Sequence, residues 1–343
     1  MSNSAGDSQR RVSAVSKRRK KVKSRVGHWL NKRHLRIGRK LRAWTLPIYE
    51  RYGITSVARL FIPGYRVVTK SPGGIALQGN YLGEVENFPT IATLGDYGSG
   101  KKVAFEVAEL IAQQRAHAVV TLGDNIYFET GFQTLVGNLY GDYLEHGAFF
   151  PAAGNHDYSE GRGIKLFDRY FDFLRGHRWY SVSFDRVEFF ILDSHQALTL
   201  PESFQEQSAW LERAVKASTA DWKIVVVHHP PHSARARSQP EFRFPFDKWG
   251  VSMVMSGHDH TLQHLIFDGV HFVVNGIGGG SIHEFEEILE GTEFRLSGEF
   301  GAVFLDVLPD TLRVRSLTVP SGEVHVFEIP AKRSAKASSS VEE

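Results

Sequence analysis

Five short polar clusters punctuate the chain: Gly95-Asp96-Tyr97-Gly98, Gly123-Asp124-Asn125-Ile126-Tyr127, Gly154-Asn155-His156-Asp157, Val225-Val226-Val227-His228-His229 and Gly257-His258-Asp259-His260. Each lies at the end of a short apolar run. Singly, a Gly-Asp or Gly-Asn pair after a strand is an ordinary turn. Together the clusters offer carboxylates, a carboxamide, a phenol and several imidazoles, and no sulfur, because the chain has 16 histidines and no cysteine. Oxygen and imidazole donors suit borderline to hard first-row ions such as iron, manganese and zinc. They are too many for one ion that keeps a position open for water, so two metal ions sharing a carboxylate is the economical reading, with Asp124 as the bridge. A phenol with an ordinary pKa of about 10 becomes a ligand near neutral pH only beside a strong positive charge. Tyr127 therefore points to iron(III).

The elements that must position these clusters can be read from the apolar pattern. Runs at 90–94 and 118–122 predict strands around a helix at 99–115, which opens as a βαβ unit. Further strands are predicted at 179–184, 189–192, 224–227, 252–255 and 270–274, with a helix near 202–216. A β meander at 302–307, 312–317 and 323–329 closes the chain. The architecture is α/β with at least two sheets' worth of strands, and its ligand loops belong beyond the carboxyl ends of those strands.

The same five clusters, taken in order, resemble the motif blocks of the purple acid phosphatases, within the calcineurin-like metallophosphoesterases. The resemblance spans about residues 89–280 and is to the small, single-domain type. Gly98, where most other branches carry histidine, and Tyr127, where they carry aspartate or another residue, select the purple branch. The resemblance implies a four-layer αββα sandwich. It implies that Asp96, Asp124, Tyr127 and His260 bind iron(III), while Asp124, Asn155, His228 and His258 bind a divalent ion (Fe, Zn or Mn). It also implies hydrolysis of a small phosphate ester, a phosphomonoester, by in-line attack of a metal-bound hydroxide. His156 and His229 are then candidates to hydrogen-bond the phosphate and protonate the leaving alkoxide, with Asp157 orienting His156. A phosphodiesterase or nucleotide pyrophosphatase on the same metals is the alternative.

Composition sets the frame around that site. At 343 residues, 42% hydrophobic and 23% charged, the chain is a globular protein with a sizeable core. The lack of cysteine excludes zinc-thiolate sites, iron–sulfur clusters, thiol catalysis and disulfide scaffolds. The net charge of +3 is a cancellation: residues 1–43 carry 15 Lys and Arg against Asp7, a net of +14, while the other 300 residues carry 26 basic and 37 acidic groups, a net of −11. The expected organisation is a disordered basic arm over 1–26, a basic amphipathic helix and linker over 27–60, the metallophosphoesterase domain over 61–330 and a disordered tail over 331–343. The basic arm suits an anionic membrane surface or nucleic acid phosphates, and no obligate protein partner is evident. No apolar h-region follows the basic runs and no stretch reaches membrane-spanning length, so the expected location is cytoplasmic, free or peripheral to a membrane.

Two rival classes remain at this point. Gly95–Lys102 nearly satisfies the phosphate-binding loop of P-loop NTPases, but Lys102 replaces the magnesium-binding hydroxyl and Asp96 would sit inside a phosphate cradle. A non-catalytic binding module would use the arm and carry a degenerate site. Gly276-Ile277-Gly278-Gly279-Gly280 is expected to be close backbone packing beside the site. His195 is expected to be a hydrogen-bonded structural residue, and the basic loop of His232, Arg235 and Arg237 to be solvated.

Overall fold

The computed structural model describes residues 65–71, 74–127, 131–159, 163–235 and 237–331. The segments expected as arm, amphipathic helix and linker, and the tail beyond Ala331, lie outside the described residues. In chain order the elements are β1 (Arg66–Ser71), β2 (Gly74–Gln78), β3 (Thr90–Leu94), α1 (Lys102–Gln113), β4 (Ala118–Thr121), α2 (Asn138–Glu145), β5 (Phe149–Phe150), α3 (Asn155–Ser159) and α4 (Ile164–Tyr170). There follow β6 (Tyr180–Phe184), β7 (Val187–Ile191), α5 (Ser194–Thr199), α6 (Pro201–Ala217), β8 (Trp222–Val226), α7 (Phe246–Trp249) and β9 (Met253–Ser256). The last strands are β10 (Leu262–Phe267), β11 (Val270–Asn275), β12 (Thr292–Leu296), β13 (Phe300–Val307), β14 (Thr311–Val319) and β15 (Gly322–Pro330).

The strands form two sheets. One has nine strands in the order β1-β2-β6-β7-β8-β9-β11-β10-β12, the other six in the order β15-β14-β13-β3-β4-β5. Period-two alternation explains how they stack. Phe189 and Ile191 of β7, with Ile224 and Val226 of β8 and Met253 and Met255 of β9, join the core that also holds Ile91, Val119, Val303 and Leu305 of the smaller sheet. Their neighbours Phe190, Val225 and Val254 face the other way, onto Trp210, Leu211 and Val215 of α6. The centre of the nine-stranded sheet is thus buried on both faces, which is why β7, β8 and β9 read as largely apolar runs. On the far side, α1 packs on β13 and β14 through Ala104, Val107, Ala108 and Ile111, spaced as one helical face. The result is the four-layer αββα sandwich. Trp222 ties its two sheets together, its indole N–H donating to the Ile329 carbonyl at 2.9 Å.

α6 illustrates how local signals set an element's ends. Pro201 stands at its start, Glu202 in its first turn and Lys216 in its last, each suited to the helix dipole. The hairpin of β10 and β11 turns on Asp268 and Gly269, both at positive φ (51° and 73°), the geometry a two-residue turn requires.

Candidate metal centre

The clusters converge at the carboxyl ends of the parallel pairs β3–β4 and β8–β9, with the Asn155 cluster opening α3 just beyond β5. Three of the expected ligands sit on left-handed backbone: Asp96 at φ 60°, Asp124 at 54° and His258 at 68°. Non-glycine residues adopt this region at some cost, and they do so where neighbouring structure dictates where a side chain must point.

One donor set comprises Asp96, Tyr127 and His260. The Tyr127 hydroxyl lies 3.1 Å from Asp96 Oδ1 and 3.0 Å from His260 Nε2, and that nitrogen is 3.2 Å from Asp96 Oδ1. The other oxygen of Asp96 accepts the His258 backbone N–H at 2.8 Å, which links the loops of the two sheets. The second set comprises Asn155, His228 and His258. Asn155 Oδ1 is 3.1 Å from His228 Nε2 and 3.0 Å from His258 Nδ1. Asp124 lies beside this set, its Oδ1 3.4 Å from His228 Nε2, and single ligand atoms of Asp96, Asp124 and His228 lie within 4.8 Å of one another. Carbonyls aim two of the imidazoles: His228 Nδ1 contacts Leu122 O at 2.7 Å and His260 Nδ1 contacts Ser281 O at 2.6 Å, leaving each Nε2 for the centre.

The electrostatics of this cluster fit cations. Burial works against its charge, yet His228 and His156 beside it hold the Asp124 carboxyl well below the usual range. Burial of His228 is likewise outweighed by Asp124, which lifts its imidazole to about 10. Against its burial, Asp96 raises His260. Burial, together with Asp96 and Asp124, pushes the Tyr127 phenol far above its ordinary value. Protons on His228, His260 and Tyr127 therefore occupy lone pairs that a metal must take. Loading metal-free protein with zinc at pH 7 should release at least about one proton per chain, and affinity should fall as pH falls, because these imidazoles hold protons more tightly than free histidine. Calorimetry in buffers of different ionisation enthalpy measures both.

Two residues organise the centre without belonging to a donor set. Asn125, fully buried, accepts from the hydroxyls of Tyr97 and Thr121, each at 2.8 Å, and donates to Ala152 O and Asp157 Oδ2, each at 2.8 Å. The Asp157 carboxylate, expected to orient His156, instead accepts from Asn125 and from the Gly154 backbone N–H at 2.8 Å. Its role is to pin the Asn155 loop to the Asp124 loop, because the turn at Gly154 brings both within its reach. Burial and Asp124 push it up to about 7.

Gly98 shows why a side chain is excluded beside Tyr127. A Cβ there would meet the Ile126 backbone N and Cα at 2.4 Å. The same approach lets Gly98 O accept the Tyr127 N–H at 3.0 Å while Gly98 N–H reaches Asp124 O at 3.2 Å. Gly98→Ala should cost about 2 kcal/mol or more by forcing the two loops apart, measured as thermal or urea unfolding together with loss of metal retention.

The other expected residues also find places. His156 donates its backbone N–H to Asp124 Oδ1 at 2.9 Å, and its ring centroid is 4.4 Å from that of Tyr127. His229 is buried with its ring 4.4 Å from His258 and 5.0 Å from His228. The His195 ring makes no hydrogen bond among the described residues; it packs 4.4 Å from Tyr158 and 6.2 Å from His229. The basic loop is only partly solvated. Arg235 is 13% exposed between Asp259 and Glu286, each at 3.5 Å, and His232 stacks on Phe267, whereas Arg237 is exposed. The phosphate-loop alternative fails on geometry: Asp96 points into the centre, Lys101 Nζ donates to Gly280 O at 3.3 Å and Lys102 pairs with Glu106. The glycine run packs as expected: a Cβ on Gly278 would strike Gly95 O at 2.3 Å, and one on Gly280 the His260 ring at 2.8 Å. His283, stacked 4.1 Å from His260 and accepting its backbone N–H, was announced by no spacing signal.

Comparison with known proteins places the chain in a family. The calcineurin-like phosphoesterase family profile matches residues 89–262. Purple acid phosphatase 17 of Arabidopsis thaliana is 27% identical over 229 residues, covering 54% of this chain and 67% of the relative. Tartrate-resistant acid phosphatase type 5 of Oryctolagus cuniculus is 25% identical over 246 residues, covering 55% and 73%. Among solved structures, purple acid phosphatase PPD1 from yellow lupin seeds superposes with a TM-score of 0.59 at 18% identity, covering 75% of this chain and 56% of that one. GAP50, the anchor in the inner membrane complex of Plasmodium, gives 0.61 at 19% identity, covering 73% and 91%. These two likenesses are of fold.

Proposed function

The chain belongs to the calcineurin-like phosphoesterase family and is a phosphoric ester hydrolase, and within that activity we propose that it hydrolyses phosphomonoesters at a centre of two metal ions of the purple acid phosphatase type. The observation that carries this reading is the pairing of the donor sets: Tyr127 with Asp96 and His260 on one side, Asn155 with His228 and His258 on the other, and Asp124 at their junction. A phenol in the first set favours iron(III) there, and the neutral carboxamide and imidazoles of the second suit a divalent ion, iron, zinc or manganese. Such ions supply Lewis acidity toward the phosphoryl oxygens and an activated water.

The chain's own residues do the rest. Asp96 and Asp124 bring the negative charge that holds the cations, and Asn155 adds a ligand without adding charge. His156, anchored through its backbone to Asp124 and packed on Tyr127, is placed to donate a hydrogen bond to the phosphate and a proton to the leaving oxygen. His229 lies beside His258 of the second set.

Hydrolysis of p-nitrophenyl phosphate against bis-p-nitrophenyl phosphate tests the reading. Preference for the monoester supports it, and preference for the diester would replace it with the phosphodiesterase alternative. Tyr127→Phe provides a second test: the visible colour of iron-loaded protein should disappear. Colour unchanged by that substitution would remove Tyr127 from the iron.

A further inference from the structure

The turn after β7 places Ser194, fully buried, at the first position of α5, across from His229. One residue brackets its hydroxyl twice: the His229 backbone N–H donates to Ser194 Oγ at 3.2 Å, and His229 Nδ1 lies 2.7 Å from the same oxygen. The amide can only donate, so it takes a lone pair of the hydroxyl. The hydroxyl proton, buried, meets no other acceptor among the described residues, and it goes to Nδ1. With Nδ1 accepting, the single proton of the neutral ring resides on Nε2.

The surroundings make this choice rigid. Gln207 holds the preceding residue from both sides, its Oε1 accepting the Asp193 N–H at 2.9 Å and its Nε2 donating to Asp193 O at 3.0 Å. The Asp193 carboxylate accepts the Gln196 N–H at 3.0 Å to cap α5 and also accepts the Tyr158 hydroxyl. Tyr158 belongs to α3, two residues beyond His156, so the same network joins the two flanks of the site. A ring nitrogen of His229 lies within 4.8 Å of ligand atoms of His228 and His258, so the ring adjoins the second donor set.

We propose that Ser194 is a positioning residue that fixes His229 in the Nε2–H tautomer, making His229 a hydrogen-bond donor to the phosphoryl group above the Asn155–His228–His258 set. The inference rests on the phosphatase reading for its substrate and on hydrogen-bond geometry for its tautomer. A carboxylate at this position would instead have drawn the proton to Nδ1 and left Nε2 an acceptor, a poor neighbour for phosphate.

Nitrogen-15 NMR of histidine-labelled, metal-free full-length protein reads the tautomer directly, with the His229 signals identified by their loss in His229→Gln. The wild type should show a protonated Nε2 and an unprotonated Nδ1, and Ser194→Ala should lose that pattern for a mixture. In the metal-loaded enzyme Ser194→Ala should lower kcat by at least about tenfold, as for other partners that fix an imidazole, with KM and metal content changed less than about twofold. His229→Gln, which keeps an N–H near the Nε2 position, should retain more activity than His229→Ala. A wild type with the proton on Nδ1 would overturn the inference even if Ser194→Ala fails to fold, as would a folded Ser194→Ala with unchanged tautomer and kcat. Wild-type protein that shows the tautomer but hydrolyses no phosphomonoester would overturn the phosphatase reading and, with it, the substrate role of His229.

Discussion

Replacing Asp124 with asparagine should strip the protein of both metal ions and lower kcat/KM by about a thousandfold or more. The substitution preserves shape but removes the carboxylate proposed to be shared by the two ions. Asp124 is 1% exposed, sits 3.4 Å from His228 Nε2 and shares a ligand cluster with Asp96 and His228. Its Oδ1 already accepts the His156 N–H at 2.9 Å, so an amide oriented to keep that bond turns its NH2 elsewhere in a site built to hold cations. Asn155→Ala is the matched control, since the Asn155 side chain is within hydrogen-bond distance of His228 and His258 of the second set, and its loss should release one ion and spare the other. Metal analysis of the two variants separates the cases. Asp124→Asn that keeps one ion and near-normal turnover would show that the sets do not share this carboxylate.

The second large effect is on stability. Asn125→Ala should destabilise the metal-free protein by about 4 kcal/mol, measured by urea unfolding. The carboxamide uses both donors and accepts twice, so its removal orphans the Tyr97 and Thr121 hydroxyls, the Ala152 carbonyl and one oxygen of Asp157 at once. Each buried orphan costs about 1–3 kcal/mol, reduced where water enters the space left behind. Asn125→Asp should fare little better, since it replaces the amide donor to Ala152 O and Asp157 Oδ2 with carboxyl oxygens and sets a second carboxyl group against Asp157. The loop that carries Asp124 and Tyr127 is continuous with Asn125, so metal retention should fall with stability. A loss below about 1 kcal/mol would mean that the hub is hydrated in solution.

How much of this was legible depended on whether a signal was local. β3 at Thr90–Leu94 is legible to the residue because Pro89 and Gly95 bound a run of five buried positions. α6 was read to within a residue at each end, helped by Pro201. β10 was missed because Gln263 and His264 interrupt its apolar pattern, although both are buried, and only the Asp268-Gly269 turn marked it. β12, alternating half-buried and exposed at the sheet's edge, left almost no trace. At the site, residue types and order point to the side chains that the strand ends bring together, since a polar cluster of this kind needs unusual residues at strand ends. Partnerships were harder. Asp157, expected to orient His156, reaches back to Asn125 and the Gly154 N–H, partners that only the turn before α3 brings near. Ser194 lies 35 positions from the His229 ring it touches, a contact only the pairing of β7 with β8 creates.

The most direct test is metal stoichiometry set against turnover as metal-free protein is titrated with iron(III) and then zinc. The geometry predicts about two ions per chain at saturation, with p-nitrophenyl phosphate hydrolysis appearing only as the second site fills. Saturation at a single ion with full activity, or two ions and no hydrolysis, would contradict it.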